Sequence, residues 1–295
     1  MMHPLRGIDV ARPQTKAEVL HLLAEAGAEG RVLAGGTDLL VELKHGLATA
    51  RLLVSLSRVR ELRYLERPAG GGLRIGARAT VRVLQRVVAD GGAGAYRALD
   101  DACRDFASVQ IRNMATVLGN LAHASPSAEF APPLIALKAT AVIAGPRAGC
   151  EVPLEGFFTG PRRTSLAPDE LLAEVRVPAP LPRTGSSYQK MKVRELMDIA
   201  IVGVAAAIRL DASGRCAEAR VVLGAVAPVP RRAPGAEAVL EGEILTEALA
   251  AEAARRAVDA ASPIDDVRAS AEYRRLLVEE LTRRALAAAL ADARR

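Results

Sequence analysis

The sequence predicts an α+β chain divided into two or three compact units, and three observations carry that expectation. Half of the 295 residues are hydrophobic, enough apolar material to bury more than one core. The apolar spacing alternates between helical and strand periods. Breaks rich in glycine and proline fall at Gly70–Gly72 and Pro178–Ser187, where turn chemistry interrupts regular structure. The expected units are residues 1–60, 61–178 and 179–295.

Residues 15–26 read as a helix, with Val19, Leu22, Leu23 and Ala26 at helical spacing and Gly27 and Gly30 as the stop. Arg31–Ala34 reads as a strand, Leu39–Gly46 as a helix and Arg51–Leu56 as the next strand. In the second unit, Leu73–Thr80 is a strand that ends on a candidate helix N-cap, Thr80, ahead of Val81–Asp90. The stretch Ser108–Ala131 is rich in small and polar residues and is expected to be a ligand-lining loop. Residues 141–145 and 170–178 look like later strands. The third unit offers two strands joined by the Ser213-Gly214 turn, then an alanine-rich stretch of helical periodicity from Thr246 onward. A small sheet covered by helices accounts for that order.

Composition excludes several function classes. No run approaches the roughly 18 apolar residues of a membrane span, and the first residues lack the apolar block of a secretory signal, so a cytoplasmic location is expected. The net charge is +6 and 40 residues are basic, but they are scattered among 34 acids, and aromatic residues make up only 3% of the chain. Nucleic-acid binding, which needs a basic stripe with stacking partners, is not expected. Cys103, Cys150 and Cys216 are far apart and read as buried small hydrophobes; a resident iron-sulfur cluster needs about four closely grouped thiolates.

Two segments carry candidate chemistry. In Ala34–Leu40, Gly35 and Gly36 permit a tight turn and close approach of an anion to backbone N–H groups, Thr37 adds a hydroxyl, and Asp38 suits a cap or a hydroxyl contact. A simple capped turn explains the same residues. In Arg112–Ala139, Thr116, Asn120, Ser125 and Ser127 offer hydrogen-bonding groups, Gly119 gives backbone access, and Glu129 can accept from sugar hydroxyls. The plainer alternative is a helix capped by Ser125 with Pro126 first. Nucleotide-binding and hydrolase signatures such as Gly-x-Gly-x-x-Gly and Gly-x-Ser-x-Gly are absent. His3, His21, His45 and His123 have no ligand-spaced partner, and only His123 falls inside the suspected ligand segment.

Taken in order, AGGTDLLVELKHG, IGARAT, RNMATVLGNLAHASPSAEFAPPLIAL, FFTGPRRTSLAPDELLAEVRVP, YQKMKVRELMDIAIVGVAA and SPIDDVRASAEYRRLLVEELTRRAL resemble the FAD-binding medium subunit of the xanthine dehydrogenase and carbon monoxide dehydrogenase family of molybdenum hydroxylases. The resemblance implies an α+β fold: a two-part FAD-binding domain of the vanillyl-alcohol oxidase / p-cresol methylhydroxylase type, followed by a small α+β C-terminal domain. It implies that the flavin diphosphate sits on Leu33, Ala34, Gly35, Gly36, Thr37, Asp38, Leu39 and Leu40 and on Thr116, Gly119, Asn120 and Ser125. Phe106 and Leu172 are implied beside the isoalloxazine, Ser127 and Glu129 beside ribityl or ribose hydroxyls, and Lys190 at the polar edge of the ring. The sequence departs from the family at Leu118, where glycine is usual, and at Glu129, where aspartate is usual. By the same resemblance, [2Fe-2S] clusters and molybdopterin lie on separate small and large subunits, which the C-terminal unit helps to dock. Electrons then pass through FAD to NAD, oxygen or another acceptor. The alternatives are a self-sufficient FAD-dependent reductase and a flavin-free scaffold subunit.

Overall fold

The computed structural model of the chain describes residues 5, 7–90, 93–195 and 197–295; His3 lies outside them. The first unit runs β1 (Asp9–Ala11), α1 (Lys16–Ala26), β2 (Gly30–Leu33), α2 (Leu39–His45) and β3 (Leu52–Ser55), with the strands parallel in the order β1-β3-β2. Parallel neighbours require crossovers, and α1 and α2 lie on those connections. Helix α1 starts where Thr15 Oγ1 accepts from the Glu18 amide at 3.2 Å, and it buries Val19 and Leu23. Of the other two described histidines on helices, His21 is exposed beside Glu25 and His45 lies in the last turn of α2.

The second unit comprises β4 (Leu65–Glu66), β5 (Leu73–Gly76), α3 (Val81–Asp90), α4 (Ala93–Asp105), α5 (Val109–Met114), α6 (Val117–His123), α7 (Ala131–Ala136), β6 (Thr140–Ala144), β7 (Cys150–Pro153), β8 (Phe158–Gly160), β9 (Arg163–Thr164) and β10 (Leu171–Val177). Five of its strands make an antiparallel sheet in the order β4-β5-β10-β6-β7, and β8 pairs with β9. Three expectations need correction here. The supposed loop from Ser108 to Ala131 is largely helical, because Ser108 Oγ accepts from the Ile111 amide at 3.3 Å and Thr116 Oγ1 from the Gly119 amide at 3.0 Å, capping α5 and α6. Ser125 starts no helix; its hydroxyl accepts from the Ser127 amide two residues on, and the next helix begins at Ala131. Cys150 is exposed on the edge strand β7, unlike the buried Cys103 and Cys216.

The third unit holds β11 (Thr184–Met191), β12 (Val202–Leu210), β13 (Cys216–Gly224), β14 (Arg231–Arg232), α8 (Pro234–Leu240), α9 (Glu247–Val258) and α10 (Ala271–Ala293). The strands form an antiparallel sheet in that order. Strand β11 begins inside the segment expected to be only a boundary. Its serines are buried because α4 satisfies them: Ser186 Oγ donates to Ala95 O at 2.7 Å and accepts from Ala98 N at 3.1 Å, while Asp101 Oδ2 accepts from Ser187 Oγ and Tyr188 N.

Strand alternation makes this sheet a partition between two cores. Tyr188, Ala205 and Val222 face the core of the first two units. Val204, Ala206, Val221 and Leu223 face a second core closed by α8, α9 and α10. Among the described residues, no helix is long and apolar enough to cross a membrane.

Candidate functional site

The turn after β2 meets the junction of α5 and α6, and its two glycines serve different physical needs. A Cβ on Gly35 would stand 2.2 Å from Met114 O, so only glycine permits that approach; Gly36 has φ +72°, in the left-handed region. Behind the turn, Leu40 packs toward Gly36. The amides of Gly35, Gly36, Thr37 and Asp38 donate to no backbone acceptor among the described residues. Asp38 occupies the N-cap position of α2 but makes no side-chain cap bond, so of the two roles the sequence offers it, a cap or a hydroxyl contact, the cap is not realised.

Two clefts open beside this turn. One, of about 460 Å³, is lined by Leu33, Ala34, Gly35, Gly36, Thr37, Asp38 and Leu39 from the turn, by Leu118 and Gly119 from α6 and by Leu172 from β10. The other, of about 450 Å³, is lined by Phe106, Asn120, Ser125, Ser127 and Glu129, with Ile111, Met197, Asp198 and Ile199. Thr37, Asp38, Glu42, His123 and Arg162 line both, so the clefts are contiguous. Both volumes are within the range of small-molecule and cofactor sites.

Most of the residues marked out in the sequence therefore converge, and three do not line either cleft: Leu40, Thr116 and Lys190. The Thr116 hydroxyl is engaged in capping α6. Asn120 Oδ1 accepts from Phe130 N at 3.3 Å, tying α6 to the start of α7, and Phe130 in turn packs on Phe106 with ring centroids 5.3 Å apart. Ser125 and Ser127 hydroxyls stand 3.2 Å apart. Leu118, the position that departs from the family, is a buried core residue as well as a cleft wall.

Lys190 sits beneath the cleft. Its side chain is completely buried, and its ammonium donates to Glu129 Oε1 at 2.5 Å and to Asp198 O at 2.9 Å. Burial pushes the Glu129 carboxyl above its usual range, against the opposing influence of Lys190. Tyr188, two residues before Lys190, has its hydroxyl pushed up by burial and by the nearby Glu129 and Asp105 carboxyls.

The shared waist of the two clefts contains a group that the sequence reading did not assemble. Glu42 Oε1 accepts from Arg162 Nη1 at 3.0 Å and lies 2.9 Å from His123 Nε2. Arg162 is held by its own backbone, whose amide donates to Ala124 O at 2.8 Å with φ +58°. Of the three, only His123 stands out in the sequence. Arg162 reaches the site from the β8–β9 turn, and no local motif signals that contact.

A long cleft with free backbone amides at a glycine turn, hydroxyls along one wall and a buried cation beneath defines a site for an elongated ligand with an anionic segment. Comparisons with known proteins specify the class. The family described as the FAD binding domain in molybdopterin dehydrogenase matches residues 6–180, and the CO dehydrogenase flavoprotein C-terminal domain matches residues 186–289. The chain is 34% identical over 284 residues to the xanthine dehydrogenase FAD-binding subunit of Escherichia coli O157:H7, covering 96% of each. It is 32% identical to the carbon monoxide dehydrogenase medium chain of Hydrogenophaga pseudoflava, covering 95% of this chain and 96% of that one. A solved carbon monoxide dehydrogenase from the same organism, lacking the Mo-pyranopterin moiety of its molybdenum cofactor, superposes with a TM-score of 0.92 over 99% of both chains at 32% identity. Quinoline 2-oxidoreductase from Pseudomonas putida 86 gives a TM-score of 0.89 at 30% identity over 99% of both chains. The chain belongs to the family of FAD-binding medium subunits of the xanthine and carbon monoxide dehydrogenases.

Proposed function

We propose that this chain holds FAD across the two clefts and relays electrons from [2Fe-2S] clusters on a small partner subunit to an external acceptor, in a molybdenum hydroxylase whose molybdopterin lies on a large subunit. The observation that carries the reading is the junction at Gly35, where the turn amides and the start of α6 meet in one cleft. The amides of Gly35–Asp38 would receive the diphosphate, and the hydroxyls of Ser125 and Ser127 would face the sugar and ribityl portion. Phe106 and Leu172 supply apolar walls, and the Lys190–Glu129 pair sets the charge beneath. FAD, when bound, supplies a centre that exchanges electrons singly or in pairs. The chain's own contribution is to orient that centre, exclude water with buried walls and fix the local field. A buried ammonium favours the more negative, reduced form. The acceptor is NAD, oxygen or another oxidant, and the C-terminal unit is placed in docking the partners. A cytoplasmic location accompanies this reading.

The test is FAD binding by the purified chain, read from flavin absorbance after dialysis, alongside Gly36→Val. Valine at φ +72° meets Leu33 and Leu40 at 3.0 Å from its Cβ alone, so FAD binding should be abolished. Unchanged affinity in that variant would exclude the turn as the diphosphate site. A colourless protein that gains no flavin absorbance would instead favour a scaffold.

A further inference from the structure

The pairing of β12 with β13 ends at Gly203 and Gly224, and the carbonyls of Ile201 and Ala225 lie past the end of that ladder. A side chain from α10 takes both. Arg274 is 4% exposed and donates from Nη1 to Ile201 O at 2.6 Å and to Ala225 O at 3.1 Å. Its Nη2 lies 2.8 Å from Asp266 Oδ1, which also accepts from the Arg268 amide at 2.8 Å and the Ala269 amide at 3.2 Å. The carboxylate balances the buried charge and fixes the plane of the guanidinium. Both residues belong to the segment SPIDDVRASAEYRR, of which no residue lines either cofactor cleft.

Each carbonyl held by Arg274 belongs to a residue whose amide holds part of the cofactor site. Ala225 N donates to Pro126 O at 2.8 Å, and Pro126 stands between Ser125 and Ser127, the hydroxyl wall of the second cleft. Ala225 itself has φ +63°, a left-handed conformation that alanine keeps only where its surroundings impose it. On the other side, Ile201 N donates to Met191 O at 2.8 Å, next to Lys190. Ile201 also closes the loop whose Asp198 O accepts from Lys190 Nζ at 2.9 Å. Through one residue on each side, a single guanidinium is thus connected to the hydroxyl wall and to the lysine beneath it. Its neighbours on α10, Leu277 and Val278, pack into the second core, whereas Arg274 directs its donors to these two loops.

We propose that Arg274, oriented by Asp266, is a positioning residue of the cofactor site: it touches neither cleft, yet sets where the Ser125–Ser127 wall stands relative to Lys190. The inference rests on the reading of the clefts as the FAD site. Arginine suits the position because its planar fork meets two carbonyls and a carboxylate in fixed directions, which the single ammonium of lysine does not.

The experiment compares the full chain with Arg274→Lys, which keeps the charge beside Asp266 but loses the fork, and with Leu286→Ala, which hollows the second core beneath the same helix. Hydrogen–deuterium exchange is measured on the ligand-free proteins, and FAD titration is followed by visible circular dichroism of the bound flavin. In Arg274→Lys, exchange should quicken selectively in peptides covering residues 124–129 and 190–201. FAD should bind about tenfold more weakly, a loss of about 1.4 kcal/mol, with an altered flavin dichroism. Asp266→Asn should act in the same direction and less strongly, and it carries the test if Arg274→Lys does not fold. Leu286→Ala should melt lower while keeping parental FAD affinity, flavin dichroism and no selective exchange in those two segments. Parental FAD affinity or unaltered exchange in the Arg274 and Asp266 variants, or an equal loss of affinity in Leu286→Ala, overturns the proposal. A parent chain that binds no FAD refutes the cofactor reading instead, and the exchange comparison alone then decides whether Arg274 positions the two loops.

Discussion

Replacing Lys190 with methionine tests the centre of the site most sharply. The substitution keeps an unbranched apolar chain but removes the ammonium that touches Glu129 Oε1 at 2.5 Å and Asp198 O at 2.9 Å. Both charged side chains are largely buried, at 0% and 12% exposure. Breaking a buried pair by deleting one partner costs about 3–5 kcal/mol, since the remaining charge is left uncompensated. At about 2–4 °C per kcal/mol for a domain of this size, the melting temperature should fall by roughly 10 °C at neutral pH. The pH dependence follows from Glu129, whose folded-state carboxyl is already raised by burial, with Asp38 adding to the rise and Lys190 opposing it. Without Lys190 it rises further. A carboxyl raised in the folded state contributes stability that is present below its unfolded pKa and lost as pH rises through the folded one. The deficit of Lys190→Met relative to the parent should therefore be small at about pH 4, near an ordinary glutamate pKa, and largest in neutral and alkaline solution. Adding Glu129→Gln should restore most of the lost stability. Thermal denaturation of the three variants across pH measures this. An equal deficit at acid and alkaline pH, or no rescue by Glu129→Gln, would refute the reasoning. In the FAD-loaded protein the same substitution should move the flavin midpoint potential to more negative values; an unaltered redox titration removes Lys190 from the electron step.

Gly35→Ala places a methyl 2.2 Å from Met114 O, which forces the turn away from α5; both folding stability and FAD affinity should fall, measured by denaturant titration and flavin retention. Leu118→Ala removes a side chain that is 2% exposed and should cost about 2–5 kcal/mol of stability. Because it also widens the cleft wall, FAD affinity should hold or rise by equilibrium dialysis. A weaker affinity would show that the leucine supports the cofactor directly.

The elements legible in the sequence were those whose signals are local. Thr15 ahead of an apolar 3.6-residue pattern fixes α1, and two apolar runs around Asp211–Gly214 fix the β12–β13 hairpin. Strand β11 is less legible because its buried serines satisfy no apolar pattern; they are acceptable only against the backbone and Asp101 of α4, 91 and 86 positions away. Similarly, the cap bonds of Ser108 and Thr116 turn a composition that suggests a loop into two short helices. At the site, the glycine turn and the hydroxyl segment could be read because they need unusual residues close together. The Glu42–His123–Arg162 group could not, since it joins three elements through tertiary contacts alone. Lys190 was marked only by resemblance, and its pairing with Glu129 is visible only once β11 is placed.

The sheet of β11 to β14 has a consequence for how this chain can be divided. Both of its faces are interior, and the strand that carries Lys190 is also the strand bound to α4 through Asp101. A fragment ending at the linker would expose the apolar side of α7 and leave the half-buried Asp101 carboxylate of α4 without its amide partner, while the complementary fragment would bare Tyr188, Ala205 and Val222. The gap between the two family matches, from residue 180 to 186, is therefore not a line along which the chain can be cut. Separately expressed halves should aggregate singly and recover solubility only when produced together.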